Sequence, residues 1–438
     1  MTEFTLAPTF HPLRGTLHVP ADKSISHRAA ILAAIANGDT RIENFLPSET
    51  THATLDCLRA LGAEIETRDA TTLIVHGRGL RGLREPNDIL FCKGSGTTIR
   101  LLAGLCAGQN FLSILDGTPV LKRRPMARVV EPLRAMGATI LGRDENKLPP
   151  LAVRGGALRG IEYTLNVASA QAKSAILLAA LFADSPTIVR EPSLSRDHTE
   201  RMLKGCEAKI KILNSKFVIQ LEPTTELRIP NYEFRIPADF SSAAFFIVAA
   251  LIVLQSELRI ENVGVNATRT GMLDALARMG AAINLENARE ESGEPVADVI
   301  VRSADLRATE IAGDEVPRMI DEFPIFAIAA TQARGETIVR DARELRVKES
   351  DRIATLAYEL RKMGAQIEER EDGFVIAGPT PLRGARVYAH NDHRLAMSLA
   401  IAALIARGET IIEGWECVAD SFPNFAKILD DVASRPMA

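Results

Sequence analysis

The stretch LRALGAEI, Leu58–Ile65, comes back along the chain as LRAMGATI (Leu133–Ile140), LKGCEAKI (Leu203–Ile210), LARMGAAI (Leu276–Ile283) and LRKMGAQI (Leu360–Ile367). Each copy reads as the end of an amphipathic helix, a glycine that can take positive φ at the C′ position, and then a strand. The third copy has Glu207 where the others have glycine. It therefore needs a left-handed non-glycine residue or a different turn. A second phrase runs alongside, a small or polar loop leading into a β-branched strand. It centres on Ile42, Ile114, Val189, Ile260, Val339 and Ile412, at intervals of 71 to 79 residues. Six such units account for the chain, each holding strand, helix, strand and a further helix.

The repeat is too long for common solenoids and too rich in apolar helices for a propeller. Alternating helices and strands indicate an α/β or α+β protein. At 438 residues the chain is long for one domain. Six equal units suggest two domains of three, facing each other across a cleft of the kind that binds small ligands. The break between halves is expected near RIPNYEFRIPADFSSAAFF, where Pro230, Pro237 and irregular polarity suit a crossover.

With 46% hydrophobic and 25% charged residues the composition is that of a soluble globular protein. The net charge is −4 and no basic block suggests a nucleic-acid surface. Cys57, Cys92, Cys106, Cys206 and Cys417 are scattered and never spaced as CxxC. That argues against a disulfide framework or a zinc site and for a reducing compartment. The opening MTEFTLAPTFHPLRG lacks the charged-then-apolar pattern of a signal peptide. AAFFIVAALIVL, Ala243–Leu254, is too short to span a bilayer and reads as a buried helix. The expectation is a cytoplasmic protein.

Polar residues then gather at the starts of apolar helices. PADKSISHRAAILAAIANG places Lys23, Ser24 and Arg28 there, and KGSGTTIRLLAGL places Gly96 and Arg100 after a glycine-rich turn. LKRRPMARVVEPL puts Arg123 and Arg124 before Pro125, which suits a helix start. ASAQAKSAILLAALFA begins with Ser169, Gln171 and Lys173, SRDHTERML carries Arg196, and MIDEFPIFAIAA carries Asp321 and Glu322. ELRVKESDRI, Glu344–Ile353, packs six charges into ten residues, and NDHRLAMSLAIAALIA begins with Asp392, His393 and Arg394. Each alone reads as a cap, a snorkelling side chain or a wet turn. Together they put cations at the end of the helix that disfavours them. That pattern suggests helix N-termini converging on a multiply charged anion, with nearby acids to move protons. GSGTT is no nucleotide P-loop, because no Gly-Lys-Ser/Thr closes it.

PADKSISHRA, GSGTTIRLL, RPM, NVASAQAKSAILLAAL, SRDHTE, MIDEFP, ELRVKESDR and NDHRLAMS, in this order, resemble the 5-enolpyruvylshikimate-3-phosphate synthases (3-phosphoshikimate 1-carboxyvinyltransferases) over essentially the whole chain. SAQAK, RDHTE and NATR (Asn266–Arg269) look like the class II branch. The resemblance implies a two-domain inside-out α/β barrel of six βαβαββ repeats, three per domain. Residues 1–21 and 241–438 would form one enolpyruvyl transferase domain, and 22–240 a second, inserted one.

It also implies the reaction of phosphoenolpyruvate with the 5-hydroxyl of shikimate 3-phosphate, releasing phosphate through a tetrahedral ketal, on the shikimate path to chorismate and aromatic amino acids. The two substrates bring about five to six negative charges, which a chain of net −4 can meet only by concentrating cations locally. By resemblance, Lys23, Ser24, Arg28, Ser169, Ala170, Gln171, Arg196, Asp321 and Lys348 would hold shikimate 3-phosphate. Lys23, Gly96, Arg124, Gln171, Arg352 and Arg394 would hold phosphoenolpyruvate, with Arg100 nearby. Asp321 would act as base toward the hydroxyl, and Glu349 as acid then base at the methylene carbon, with Lys348 assisting. No metal or organic cofactor is called for, and the partners expected are the two small molecules, bound by a monomer.

Some positions depart from the family pattern: Ala21 stands where many members have Gly, Lys93-Gly94 where they have Gly-Asn, and Asp420 where a basic or small residue is common. Gly96 is kept where some class II members carry Ala and exclude glyphosate, which leaves room for that inhibitor. The rival within the fold, UDP-N-acetylglucosamine enolpyruvyl transferase, would want Lys-Asn at Lys23-Ser24 and a cysteine in the stretch DGTPVLKRRPM, which has none. A non-catalytic homologue that binds anionic ligands would have little use for Asp321 and Glu349. A sugar-phosphate kinase would lack its phosphate loop.

Overall fold

All five helix ends of the repeated phrase close in the same way in the computed structural model, which describes residues 2–9, 11–213 and 217–433. In the first copy the N–H of Gly62 bonds to the carbonyl of Arg59 at 2.9 Å, and that of Ala63 to Leu58 at 3.0 Å. The same two bonds recur at Gly137 and Ala138, Gly280 and Ala281, and Gly364 and Ala365. This is a Schellman closure, which requires a left-handed residue. Glu207 supplies it too, with φ 62° and bonds from Glu207 to Lys204 and from Ala208 to Leu203. Of the two ways to accommodate Glu207, the molecule uses the left-handed non-glycine residue.

The strands that follow these turns build six small sheets among the described residues, five of four strands and one of three. Leu90–Phe91, Leu112–Asp116, Thr139–Gly142 and Leu148–Arg154 illustrate the pattern. The first strand runs parallel to the second, the fourth lies antiparallel to the second, and the third antiparallel to the fourth. A parallel pair needs a crossover. Helix Gly96–Ala107 makes it, and helix Ala127–Ala135 links the second strand to the third. The three-stranded sheet pairs Arg386–Tyr388 with Thr410–Glu413, and the N-terminal strand Glu3–Leu6 takes the remaining place. Ile42, Ile114, Val189, Ile260, Val339 and Ile412 all lie on second strands of this pattern.

Helices of the two positions differ in burial. In each repeat the crossover helix is covered on nearly every side: Ile25 to Ile35 in the helix Lys23–Ile35, and Phe240 to Leu251 in the helix Phe240–Ile252. The second helix buries one face only, as Glu49–Ala60 does through Thr51, Thr54, Leu55 and Leu58. Helices therefore form the interior and sheets the outside of each unit, the reverse of a sheet-cored α/β protein. Gly104 permits a close helix–helix approach, since a Cβ there would lie 2.2 Å from the carbonyl oxygen of Ala175 on the helix Ala170–Ala180.

The chain divides into a discontinuous unit, Met1–Pro20 with Pro237–Arg289 and Pro295–Ala438, and an inserted unit, Ala21–Ile236 with Glu290–Glu294. Each has its own hydrophobic core. The inserted unit's is rich in Ala, Leu and Ile, while the other gathers Phe245, Phe246, Phe323, Phe326, Phe374, Phe422 and Phe425. No helix among the described residues is long and apolar enough to cross a membrane.

Two local expectations change. The apolar run Ala243–Leu254 is helical only to Ile252, and Leu254 is 80% exposed. Arg123 and Arg124 do not begin a helix. Leu121–Arg123 is a 3-10 turn, Arg124 is extended, and the helix starts at Ala127. Pro125 disfavours helical geometry in the residue before it.

Candidate active site

In the inserted unit most candidate residues stand on the first two turns of three interior helices, with Arg124 and Arg196 on the chain between helices. Asp22 caps Lys23–Ile35, accepting from the N–H of Ile25 at 2.9 Å. Ser95 caps Gly96–Ala107, accepting from Thr98 at 3.1 Å, and Ser169 caps Ala170–Ala180, accepting from Ala172 at 3.4 Å. Side-chain caps satisfy part of each helix start, and the remaining N–H groups keep the positive end of the dipole. Lys23, Ser24, Arg124, Ser169, Ala170, Gln171 and Arg196 are all half-buried, so they are partly open to solvent.

Four of these residues form one constellation. Arg100 donates to the side-chain oxygen of Gln171 and to the Pro125 carbonyl at 3.1 Å, while Gln171 Nε2 donates to Thr97 Oγ1 at 2.9 Å. A Cβ on Gly96 would lie 2.8 Å from Arg124 Nη1 and 3.1 Å from Arg100 Nη1. Gly96 is thus the space into which two guanidinium groups close. Lys93 shapes the turn before it by adopting φ 50°, and its carbonyl accepts from Thr118 at 2.9 Å.

Arg28 is buried, donating from Nε to Thr199 Oγ1 at 2.7 Å, from Nη1 to the Ser24 carbonyl at 2.9 Å and from Nη2 to Ser174 Oγ at 2.7 Å. Lys173, at the head of the same helix as Gln171, is fully buried. Its Nζ lies 2.6 Å from Glu200 and 2.9 Å from Glu191, so it is part of an internal ion triad. His27 was not singled out by sequence reasoning. Burial, then the neighbouring Lys23 and Arg28, brings its pKa down to about 3, so it is neutral. Its Nδ1 bonds with Thr54 Oγ1 at 2.7 Å, Thr54 with Thr98 at 2.7 Å, and Thr98 with Ser95 at 2.7 Å. One buried chain of hydroxyls ties three helices together.

In the discontinuous unit Arg352 is the hub. It is 2% exposed and begins the helix Arg352–Lys362. Nε and Nη2 reach Asp392 at 2.8 and 3.3 Å, Nη1 reaches Asp321 at 3.1 Å, and Nη2 reaches Glu349 at 2.7 Å. Burial pulls its pKa down, but Asp392, Glu349 and Asp321 outweigh that and hold it above the usual arginine value. Burial likewise works to raise Asp392, and Arg352 overrides it, leaving that carboxyl below the ordinary range. Arg394 lies on the next interior helix, His393–Ala403, with Nη1 on the Asp321 carbonyl at 3.3 Å and Nη2 3.7 Å from its carboxylate. Burial brings Lys348 down to about 8, with Asp321 opposing and Arg352 adding to the shift. Asp321, Lys348, Glu349, Arg352 and Arg394 therefore lie in one cluster.

Two further charges of ELRVKESDRI, Arg346 and Asp351, have structural work. Arg346 bonds to Asp351, Glu369 and the carbonyls of Arg370 and Glu371, and Asp351 caps the helix that Arg352 begins. Sequence reasoning missed the role of Asp392. An aspartate before an apolar helix signals a cap, which it is, accepting from Arg394 N–H at 3.0 Å. Nothing in the sequence pairs it with Arg352.

Chemically, the discontinuous unit holds a cation between carboxylates of unequal environment beside a lysine of depressed pKa, an arrangement suited to moving protons next to a bound anion. The family model for EPSP synthase (3-phosphoshikimate 1-carboxyvinyltransferase) matches residues 8–429. The protein of Desulforudis audaxviator named 3-phosphoshikimate 1-carboxyvinyltransferase is 54% identical over 420 residues, 96% of this chain and 97% of its own. That of Geotalea uraniireducens, with the same name, is 51% identical over 432 residues, 99% of each chain. The structure of EPSP synthase from Acinetobacter baumannii superposes with a TM-score of 0.88 at 41% identity, covering 98% of both chains. The enolpyruvyl transferase NikO from Streptomyces tendae, 18% identical with a TM-score of 0.78 over 98% of this chain and 97% of its own, shares the fold. Matched in sequence over nearly its full length and in backbone over nearly all of it, this chain belongs to the EPSP synthase (3-phosphoshikimate 1-carboxyvinyltransferase) family.

Proposed function

We propose that the protein transfers the enolpyruvyl group of phosphoenolpyruvate to shikimate 3-phosphate, with the residues of the two clusters in the following roles. The observation that carries this reading is the family match over residues 8–429. The grouping of Asp321, Glu349 and Asp392 around Arg352 supports the assignment of roles.

Lys23, Ser24, Arg28, Ser169, Ala170, Gln171 and Arg196 hold shikimate 3-phosphate, with Asp321 and Lys348 at its hydroxyl end. Lys23, Gly96, Arg124, Gln171, Arg352 and Arg394 hold phosphoenolpyruvate, for which paired guanidinium forks suit both carboxylate and phosphate. Asp321 takes the proton of the 5-hydroxyl as that oxygen bonds to C2 of phosphoenolpyruvate, and Glu349 delivers a proton to the methylene carbon. The product is a tetrahedral ketal phosphate. Glu349 then removes a proton from the new methyl group, the carbon–carbon double bond re-forms, and the C2–O bond to phosphate breaks. Lys348 steadies the anionic oxygen during the first step. Each unit acts as one enolpyruvyl transferase domain, and the enzyme works as a monomer in the cytoplasm.

Phosphate release from phosphoenolpyruvate, measured in parallel with shikimate 3-phosphate and with UDP-N-acetylglucosamine, tests the reaction. Release is expected with the shikimate ester alone; release with the nucleotide sugar alone overturns the substrate. Glu349→Gln is expected to lose about 10²–10⁴-fold in kcat with an unchanged Tm. A smaller loss removes Glu349 from the proton-transfer role.

A further inference from the structure

The motif NATR, Asn266–Arg269, has no part in the roles above, yet Arg269 is 2% exposed and lies in the same unit as Arg394. Its Nη2 donates to Asp239 at 3.0 Å and to Ser241 Oγ at 2.6 Å. Because Ser241 Oγ accepts from Arg269, its own proton points to Glu322, to which it donates. Glu322 is 1% exposed and follows Asp321 directly in the chain, and its Oε1 lies 4.0 Å from Arg394 Nη1. Asp239 also accepts from the Ser241 N–H at 2.7 Å, which pins the hydroxyl-bearing residue in place. Polar and charged groups follow each other from Arg269 through Asp239, Ser241 and Glu322 to Arg394, then through the half-buried Asp321 to Arg352.

Five carboxylates (Asp239, Asp321, Glu322, Glu349 and Asp392) stand against the guanidiniums of Arg269, Arg352 and Arg394 and the ammonium of Lys348. A buried carboxylate that loses its compensation is costly, which strengthens its pull on any other cation in reach. Arg394 is within reach of Glu322, at the outer limit of an ion pair.

We propose that Arg269 is a positioning residue for phosphoenolpyruvate: by compensating Asp239 and, through the Ser241 hydroxyl, Glu322, it keeps Glu322 from capturing Arg394. The inference rests on the reading of Arg394 as a phosphoenolpyruvate ligand. Removing Arg269 lets Glu322 and Arg394 close into a full pair and withdraws one guanidinium fork from the substrate. Removing the Glu322 charge as well takes away the competitor.

The test is steady-state kinetics of four forms: wild type, Arg269→Gln, Glu322→Gln and the double variant. Arg269→Gln is expected to raise KM for phosphoenolpyruvate about tenfold, the scale of one charge-assisted hydrogen bond, with kcat and KM for shikimate 3-phosphate changed far less. The double variant is expected to return KM for phosphoenolpyruvate toward the wild-type value. A purely structural role predicts a double variant no better than Arg269→Gln, and that result overturns the proposal. If Arg269→Gln does not fold, Glu322→Gln alone decides, since its amide oxygen still accepts from Ser241. An unchanged or lower KM for phosphoenolpyruvate supports the proposal, and a raised one overturns it. Absence of turnover in wild type would instead count against the enzymatic reading; calorimetric binding of phosphoenolpyruvate to the same four forms then decides the inference by the same pattern.

Discussion

Lys348 shows how one side chain's surroundings set its chemistry. A lysine loses its proton near 10.5 in water, and here burial brings that to about 8. Below pH 8 the group is cationic and can meet the anionic substrates; above it the charge is lost. The kcat/KM profile, which reports the free enzyme, is expected to fall through an alkaline limb near pH 8. In Lys348→Arg, whatever activity remains should show that limb displaced upward, because a guanidinium keeps its proton. A pH–rate series on both forms checks this, and an unmoved limb assigns the titration to another group. For stability, the unfolded chain binds this proton more tightly than the folded one between about 8 and 10.5. Its contribution therefore disfavours folding below pH 8 and is relieved as pH rises through that window. Residue identities at this scale were legible: Lys348, Glu349, Arg352, Asp321 and Arg394 all stood out in sequence. Their partners were not, because Asp392 and Arg352 are 40 positions apart and meet only through folding.

Elements of this chain end by a common rule, and Glu207 is the exception that measures its cost. Four of the five repeated turns use glycine at positive φ: Gly62, Gly137, Gly280 and Gly364; Glu207 takes the same geometry at φ 62°. A left-handed conformation costs an L-residue roughly 1–2 kcal/mol, partly offset in comparison with glycine by the extra freedom glycine brings to the unfolded chain. Glu207→Gly is expected to stabilise the protein by about 0.5–1 kcal/mol, and Glu207→Val to destabilise it. Urea midpoints at constant m-value measure both, and equal midpoints for Glu and Gly would mean that the strain does no more than offset glycine's extra freedom in the unfolded chain. The turn itself was legible because its hydrogen bonds are local. The helix expected at Arg123–Arg124 was misplaced, since Pro125 marks a boundary without saying on which side the helix lies.

As a whole molecule, the chain has two hydrophobic cores of different character. Phe246 is fully buried in the discontinuous unit, its ring centroid 5.5 Å from that of Phe425 and 5.9 Å from that of Phe422. Phe246→Ala is expected to cost about 3–5 kcal/mol, and units with separate cores need not unfold together. Calorimetry should show two transitions, only one of which moves down in this variant; a single transition shifting as a whole would mean the cores unfold as one. The sequence by itself determined the six-fold repeat, the closure of its turns, the apolar helices and the residue types gathered at their starts. These are set by periodicity, capping and backbone preference, all of which act over a few residues. Only tertiary structure decided that Lys173 is an internal ion with Glu191 and Glu200, that Gly96 is the space for Arg124 and Arg100, and that Arg269 shares one buried network with Arg394. Charges as far apart in the chain as Lys173 and Glu191 or Arg394 and Asp321 are paired by folding. In a low-dielectric interior each must find a counter-charge, and only the folded backbone says which lies within reach.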